Sequence, residues 1–160
     1  MSNIFMCADN ISGNLTASGY DGWIQLDSMK FTINRTVRTR IGYTNERDTA
    51  VPQFSDILIS KQLDNASCNL FQLTCEATVI PQVEIHVCTT DETLQPYVKY
   101  LLTNVMISDY QQVSHAGLLP LEQVQLNFTQ IQTTYVGQAN NNNSVTPTTV
   151  GYDITSARML

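Results

Sequence analysis

The 160-residue sequence predicts one mainly β domain over residues 1–160: a compact β-barrel of two curved, mostly antiparallel sheets with one flanking α-helix and a long extended loop. Several short segments alternate apolar and polar residues, which is typical of half-buried strands. The longer segments switch the parity of their apolar positions midway, as bulged strands do. Bulges curve sheets toward closure, so a barrel or curved sandwich is predicted.

The strands follow from this alternation in chain order. The first covers 3–8, and the second begins at Trp23 and changes parity at Asp27–Ser28, which implies a bend. Later strands are predicted over 54–63, 83–89, 97–110, 123–136 and 149–155. Parity switches after Leu102 and again after Phe128, so both of those long strands should be bulged.

One helix is predicted over 66–77. Ala66, Leu70, Leu73 and Ala77 recur at i, i+4, i+7 and i+11, the spacing of one helix face. The preceding Asp64 or Asn65 is a suitable N-cap. Leu70 and Leu73 should therefore face the barrel or a neighbouring subunit.

Residues 34–53 have no sustained period and form the predicted extended loop. Four arginines against two acids give the loop a net charge of +2, so the rest of the −6 chain carries −8. The loop is either a contact to an acidic neighbour or a solvated surface segment. Its arginines are Arg35, Arg38, Arg40 and Arg47.

Composition and charge narrow the function classes. A net charge of −6 argues against nucleic acid as a partner, because phosphate binding needs a basic face. The N-terminal residues show no secretory signal, and no stretch approaches the roughly 18 apolar residues of a membrane span. We expect synthesis in the cytoplasm, no membrane insertion, and secretion without a cleaved signal peptide.

The sequence does not predict an enzyme, a metal site or a cofactor. His86 and His115 lie far apart in the sequence, and a His86/Cys88 dyad on one strand face lacks an orienting third group. The four cysteines have no dense spacing and are interpreted as buried free thiols. They are Cys7, Cys68, Cys75 and Cys88.

The stretch from Gln123 to Tyr152 contains no charged residue. Its strand places four glutamines at polar positions: Gln123, Gln125, Gln130 and Gln132. This face is either an ordinary solvent face or a surface that packs against a partner or lines an enclosed space. Amides serve the second role well because they can hydrogen-bond without the desolvation cost of a buried charge.

Five segments together resemble the haemolysin-coregulated protein (Hcp) family, the tube subunit of bacterial type VI secretion. They are "DGWIQLDSMKF", "FSDILISKQLDNASCNLF", "VKYLLTNVMISDY", "EQVQLNFTQIQTTY" and "VGYDI", in family order across residues 20–154. The resemblance implies six-membered rings that stack into a tube, a contractile sheath, a tip spike protein, and effectors carried in the channel. It also implies that the loop at 34–53 contacts a neighbouring protomer or ring, and that Lys30 lies near the lumen.

Two other functions remain open from the residues. One is a small-ligand-binding β-barrel without catalytic activity, and the other is an enzyme on a cupin-like barrel, which would require a bound metal. A related phage-tail-tube-like protein is a variant of the tube hypothesis.

Overall fold

The computed structural model describes residues 2–39, 41–42, 47–137 and 146–160. These residues form one helix, α1 (Ser67–Glu76), and fourteen strands. The strands are β1 (Ser2–Ala8), β2 (Ile24–Leu26), β3 (Ser28–Lys30), β4 (Ile33–Asn34), β5 (Val37–Thr39), β6 (Arg47–Thr49), β7 (Gln53–Phe54), β8 (Ile57–Gln62), β9 (Ile80–Thr89), β10 (Pro96–Val113), β11 (Leu121–Asn127), β12 (Gln130–Tyr135), β13 (Thr148–Asp153) and β14 (Arg158–Met159).

The main sheet has two parts, which we call the first and second leaves. The first leaf has the order β2-β1-β9-β10-β12-β13-β14, and the second has the order β3-β8-β11-β10. Every pairing in both is antiparallel. The long strand β10 belongs to both leaves: residues 96–105 pair with β9 and 98–103 with β12, whereas 106–113 pair with β11.

The predicted bends are confirmed at the places where apolar parity changes. Asp27 separates β2, which pairs with β1, from β3, which pairs with β8. In β10, Asn104 has a positive φ of 52°, and the buried positions shift from Leu102 to Val105 around it. Asn104 lies between the end of the pairing with β12 at Thr103 and the start of the pairing with β11 at Met106, and the register against β9 does not shift there. The register shift of a bulge lies further along β10, between Ile107 and Asp109.

The curved antiparallel sheets are therefore confirmed, whereas the closed barrel stays a prediction. The hydrogen-bonded path among the described strands is open, with β14 at one end and β3 at the other. The core lies between the leaves and is mainly aliphatic, as the alternation predicted.

The extended loop predicted at 34–53 contains short paired strands. Within the described residues, β5 pairs with β6, and β4 pairs with β7 at the base. We call residues 33–54 the arm. The described residues of β4 and β5 are exposed on both faces. Because neither face is buried, the sequence of these strands does not alternate apolar and polar residues. Arg40 lies outside the described residues.

The helix begins and ends within one residue of its predicted bounds. Leu70 is 1% exposed, and the half-buried Leu73 packs against the core. The predicted N-cap was wrong, because Ala66 occupies that position without a side-chain cap. Asp64 instead accepts a hydrogen bond from the Ala66 backbone N–H at 2.9 Å, just before the helix.

All four thiols are free, but the prediction that they are buried holds for only one. Cys88 is buried and Cys7 is half-buried, whereas Cys68 and Cys75 are exposed. The last two lie seven residues apart on α1, on the side turned away from Leu70 and the core. The helix formed by the described residues is not long and apolar enough to cross a membrane.

Candidate functional site

The four glutamines share one outward face that runs across both leaves. Gln123 and Gln125 alternate with the buried residues of β11, and Gln130 and Gln132 flank buried Ile131 in β12. Gln123 and Gln125 have odd numbers and Gln130 and Gln132 have even numbers, but all four face outward because the strand is interrupted at 128–129. Gln123 is exposed and the other three are half-buried. We call this surface the amide face.

Charged residues reach the amide face from neighbouring strands. In the second leaf Gln125 pairs with Leu58 on one side and Asp109 on the other, and Leu58 pairs with Lys30. Paired residues point to the same side of a sheet, so exposed Lys30 lies in the same row as Gln125. The absence of charge from Gln123 to Tyr152 is thus a property of this chain segment and not of the whole surface.

The amide face ends in an apolar cluster at the β10–β11 hairpin. Val113 pairs directly with Leu121, and both are about half exposed. The connecting loop adds Leu118, which is 71% exposed, and Leu119, which is 68% exposed. We call residues 113–121 the hairpin tip. Contiguous exposed aliphatic side chains of this kind mark interaction surfaces.

The arm covers an apolar groove on the first leaf. The groove has a volume of about 570 Å³ and lies between the arm and strands β12, β13 and β14. Phe54 stacks on Tyr152 with ring centroids 5.1 Å apart and so holds the base of the arm on the sheet. The apolar lining comprises Phe31, Ile33, Val51, Pro52, Phe54, Ile131, Val150, Tyr152, Ala157 and Met159.

Of the four predicted arginines, the structure describes the side chains of Arg35 and Arg38. Arg35 lines the groove, and its Nε donates a hydrogen bond to the Ala50 carbonyl at 2.7 Å, across the arm. Arg38 is exposed on β5. The side chain of Arg47 and the whole of Arg40 lie outside the described parts of the structure.

A buried ion pair joins β8 to β11 within the second leaf, and sequence reasoning missed it. Lys61 Nζ lies 2.7 Å from Glu122 Oε2, and both side chains are 0% exposed. The ammonium also contacts Asp64 Oδ1 at 2.8 Å. Tyr110 donates a hydrogen bond to Glu122 Oε1 at 2.6 Å. Burial, together with this bond to Glu122, raises the pKa of Tyr110 well above its usual value.

A signal for this pair was present in the sequence. Lys61 continues the buried positions Ile57 and Ile59 of β8, and Glu122 precedes Val124 in the same parity on β11. A charged residue at an apolar position predicts a buried partner, because an unpaired buried charge is strongly unfavourable. Only the register, which pairs Lys61 with Glu122, identifies that partner.

His86 and Cys88 are brought together by a shared hydrogen-bond partner, the hydroxyl of Tyr20. The Tyr20 hydroxyl lies 3.1 Å from His86 Nδ1 and 3.1 Å from Cys88 Sγ. Burial lowers the pKa of His86 and raises the pKa of Cys88. A buried thiol with a raised pKa is a poor nucleophile, which argues against a catalytic dyad. His86, which the alternation places on the outer face, is covered by the loop containing Tyr20 and Trp23.

No candidate metal centre is present in the part of the chain that the structure describes. Its histidine, cysteine and acidic side chains form no group of three that could hold an ion. The geometry is that of a packed β domain with outward apolar and amide surfaces.

Comparison with known families agrees with this fold. The family model described as "Type VI secretion system effector, Hcp" matches residues 5–135, well over half of the chain. The chain belongs to the Hcp family. A search of curated protein sequences gives no match.

Solved structures share the fold of this family member. A type six secretion system protein is 20% identical with a TM-score of 0.93, over 100% of both chains. Hcp1 from Salmonella typhimurium is 22% identical with a TM-score of 0.81, over 99% of both chains. The anti-feeding prophage baseplate, a cryo-EM structure with six-fold symmetry applied, is 10% identical with a TM-score of 0.56, over 86% of this chain and 94% of that one.

Proposed function

We propose that the chain is a non-enzymatic subunit that assembles into six-membered rings, which stack into the inner tube of a type VI secretion system. The observation that carries this proposal is the family match across residues 5–135. The fold shared with a baseplate to which six-fold symmetry was applied supports the ring. Closure of the two leaves into a barrel, brought about by the bend at Asp27, belongs to the same proposal.

The outward surfaces support self-assembly. The hairpin tip and the groove both expose large aliphatic side chains, which would favour aggregation of an isolated chain. The amide face suits a lumen or a subunit contact, because it can be covered without burying a row of charges. We assign Lys30 and the glutamines to one of these two surfaces, and the arm arginines to contact with a neighbour.

The remaining partners follow from the family resemblance. They are a tip spike protein, a contractile sheath and effector proteins carried in the lumen. Synthesis in the cytoplasm and secretion without a cleaved signal peptide follow in the same way.

Light scattering after size exclusion tests the ring directly. We expect a species of six subunits and, in negative-stain images, annular particles. A chain that stays monomeric at high protein concentration would contradict the proposal.

The groove favours one alternative, a small-ligand-binding β-barrel, because its volume lies in the range of about 300–1,000 Å³ typical of ligand pockets. That alternative predicts a monomer or dimer that binds an apolar dye.

A further inference from the structure

The chain carries two exposed apolar surfaces that it cannot bring together by itself. The hairpin tip joins β10 to β11 at the end of the second leaf. The groove lies on the first leaf beside Ile131, which pairs with Leu102. Val113 lies eleven residue steps beyond Leu102 along β10, a length of up to about 36 Å in extended strand. Both surfaces are fixed in ladders that share β10, so the tip cannot fold back into its own groove.

We propose that the hairpin tip of one copy occupies the groove of the next copy, with Leu118 and Leu119 as the inserted side chains. The inference rests on the proposed function, because it names the contact through which copies meet. A two-fold symmetric dimer could cover both surfaces only by a reciprocal exchange, with the tip of each copy in the groove of the other, and such an assembly ends at two copies. A head-to-tail contact covers both surfaces with one interaction, and it repeats into a ring or a stack.

The chemistry of the two surfaces matches. The groove is open and mostly apolar, and Ile33, Val51, Val150 and Met159 at its lining are each more than half exposed. The tip offers Leu118 and Leu119, the most exposed aliphatic side chains of its hairpin. Neither surface requires a charge to be buried, because the groove's two cations, Arg35 and Arg158, have long side chains that can keep their charges in water.

Charge favours the same orientation. The arm that covers the groove contains the segment 34–53, which has a net charge of +2, whereas the rest of the chain carries −8. A head-to-tail arrangement brings this basic segment to a copy whose remaining residues are acidic as a whole, although the tip itself carries no Asp or Glu. A tip-to-tip dimer would bring two acidic bodies together, which opposes association.

Site-specific crosslinking between copies tests the contact. The full chain carries Cys68→Ser and Cys75→Ser to remove the exposed thiols, and two preparations add either Leu119→Cys or Met159→Cys. They are mixed, allowed to assemble, and oxidised. We expect a mixed disulfide between the two variants, because a disulfide forms only when Cα atoms lie within about 7 Å.

The matched control replaces Met159→Cys by Val79→Cys, a residue that is 47% exposed and lies outside the groove. Light scattering on the same mixtures reports assembly. Rings with no more mixed disulfide than the Val79 control would overturn the inference and leave the proposed function standing. Mixed disulfide in particles that are not rings would support the contact and overturn the ring. A Leu119→Cys preparation that crosslinks to itself as readily would also overturn the inference.

A second variant measures the strength of the contact. Leu118→Asp together with Leu119→Asp should raise the protein concentration needed for assembly about a hundredfold. Burial of each leucine side chain in the contact should increase the binding affinity roughly tenfold or more. Circular dichroism should show an unchanged fold, because both side chains are exposed in the single chain. Assembly at the parent's concentration would refute the proposal.

Discussion

Replacing Lys61 with methionine should destabilise the domain strongly. The change leaves Glu122 fully buried with one remaining side-chain hydrogen bond, from Tyr110. Breaking a buried ion pair by removing one partner costs about 3–5 kcal/mol. In a domain of this size each kcal/mol lowers the Tm by about 2–4 °C, so we expect a loss of roughly 6–20 °C.

The structure also predicts an order among the variants. Glu122→Gln should cost less, about 1–3 kcal/mol, because Lys61 keeps its contacts to Asp64, the Gln62 carbonyl and Ser67. The double change of Lys61→Met with Glu122→Leu should cost less than the sum of its parts, because it leaves neither charge buried alone.

Urea unfolding followed by circular dichroism measures these free energies. It should be repeated at several protein concentrations, since assembly adds to apparent stability. Lys30→Met is the matched control, because Lys30 is exposed on the same leaf, and we expect a change within about 0.5 kcal/mol. If Lys61→Met unfolds within about 0.5 kcal/mol of the parent, our account of the pair is wrong.

Three further predictions use other parts of the molecule. Leu70→Ala should reduce the free energy of unfolding by about 2–5 kcal/mol in the same urea assay, because the side chain is fully buried. The lowered pKa of His86 means that the unfolded chain binds the proton more readily, so stability should fall as pH drops through about 6.5 and below. His86→Asn should flatten that part of the pH profile, and an unchanged profile would contradict the prediction. Changing Arg35, Arg38 and Arg40 together to Glu should leave the circular dichroism spectrum intact but weaken assembly in light scattering; normal assembly would mean that the arm is only solvated.

The bends of this fold could be predicted because a bulge changes which residues face the core. The shifts at Asp27 and Asn104 appear in the sequence as changes in apolar parity. Asp27 lies between the β2 and β3 pairings, and Asn104 lies where the partner of β10 changes from β12 to β11. The helix could be predicted for the same reason, from Leu70 and its periodic neighbours. Each of these signals depends only on neighbouring residues.

Other features depend on contacts between distant residues and could not be predicted. The Lys61–Glu122 pair requires the register of β8 against β11. The covering of His86 depends on a loop whose Tyr20 lies 66 residues away in the chain. The groove forms because Phe54 brings the arm onto the sheet, which no local pattern of the arm indicates.

Strand β10 gives the domain a mechanical property. Its 18 residues serve as one continuous member of both leaves, with β11 and β12 in line along one of its edges. Neither leaf can open without releasing backbone pairs on a strand that the other leaf also uses, so the two should lose structure together. Amide hydrogen exchange should then proceed along the paired length of β10 only by global unfolding. A subunit built in this way passes a load applied to one leaf directly to the other through covalent backbone.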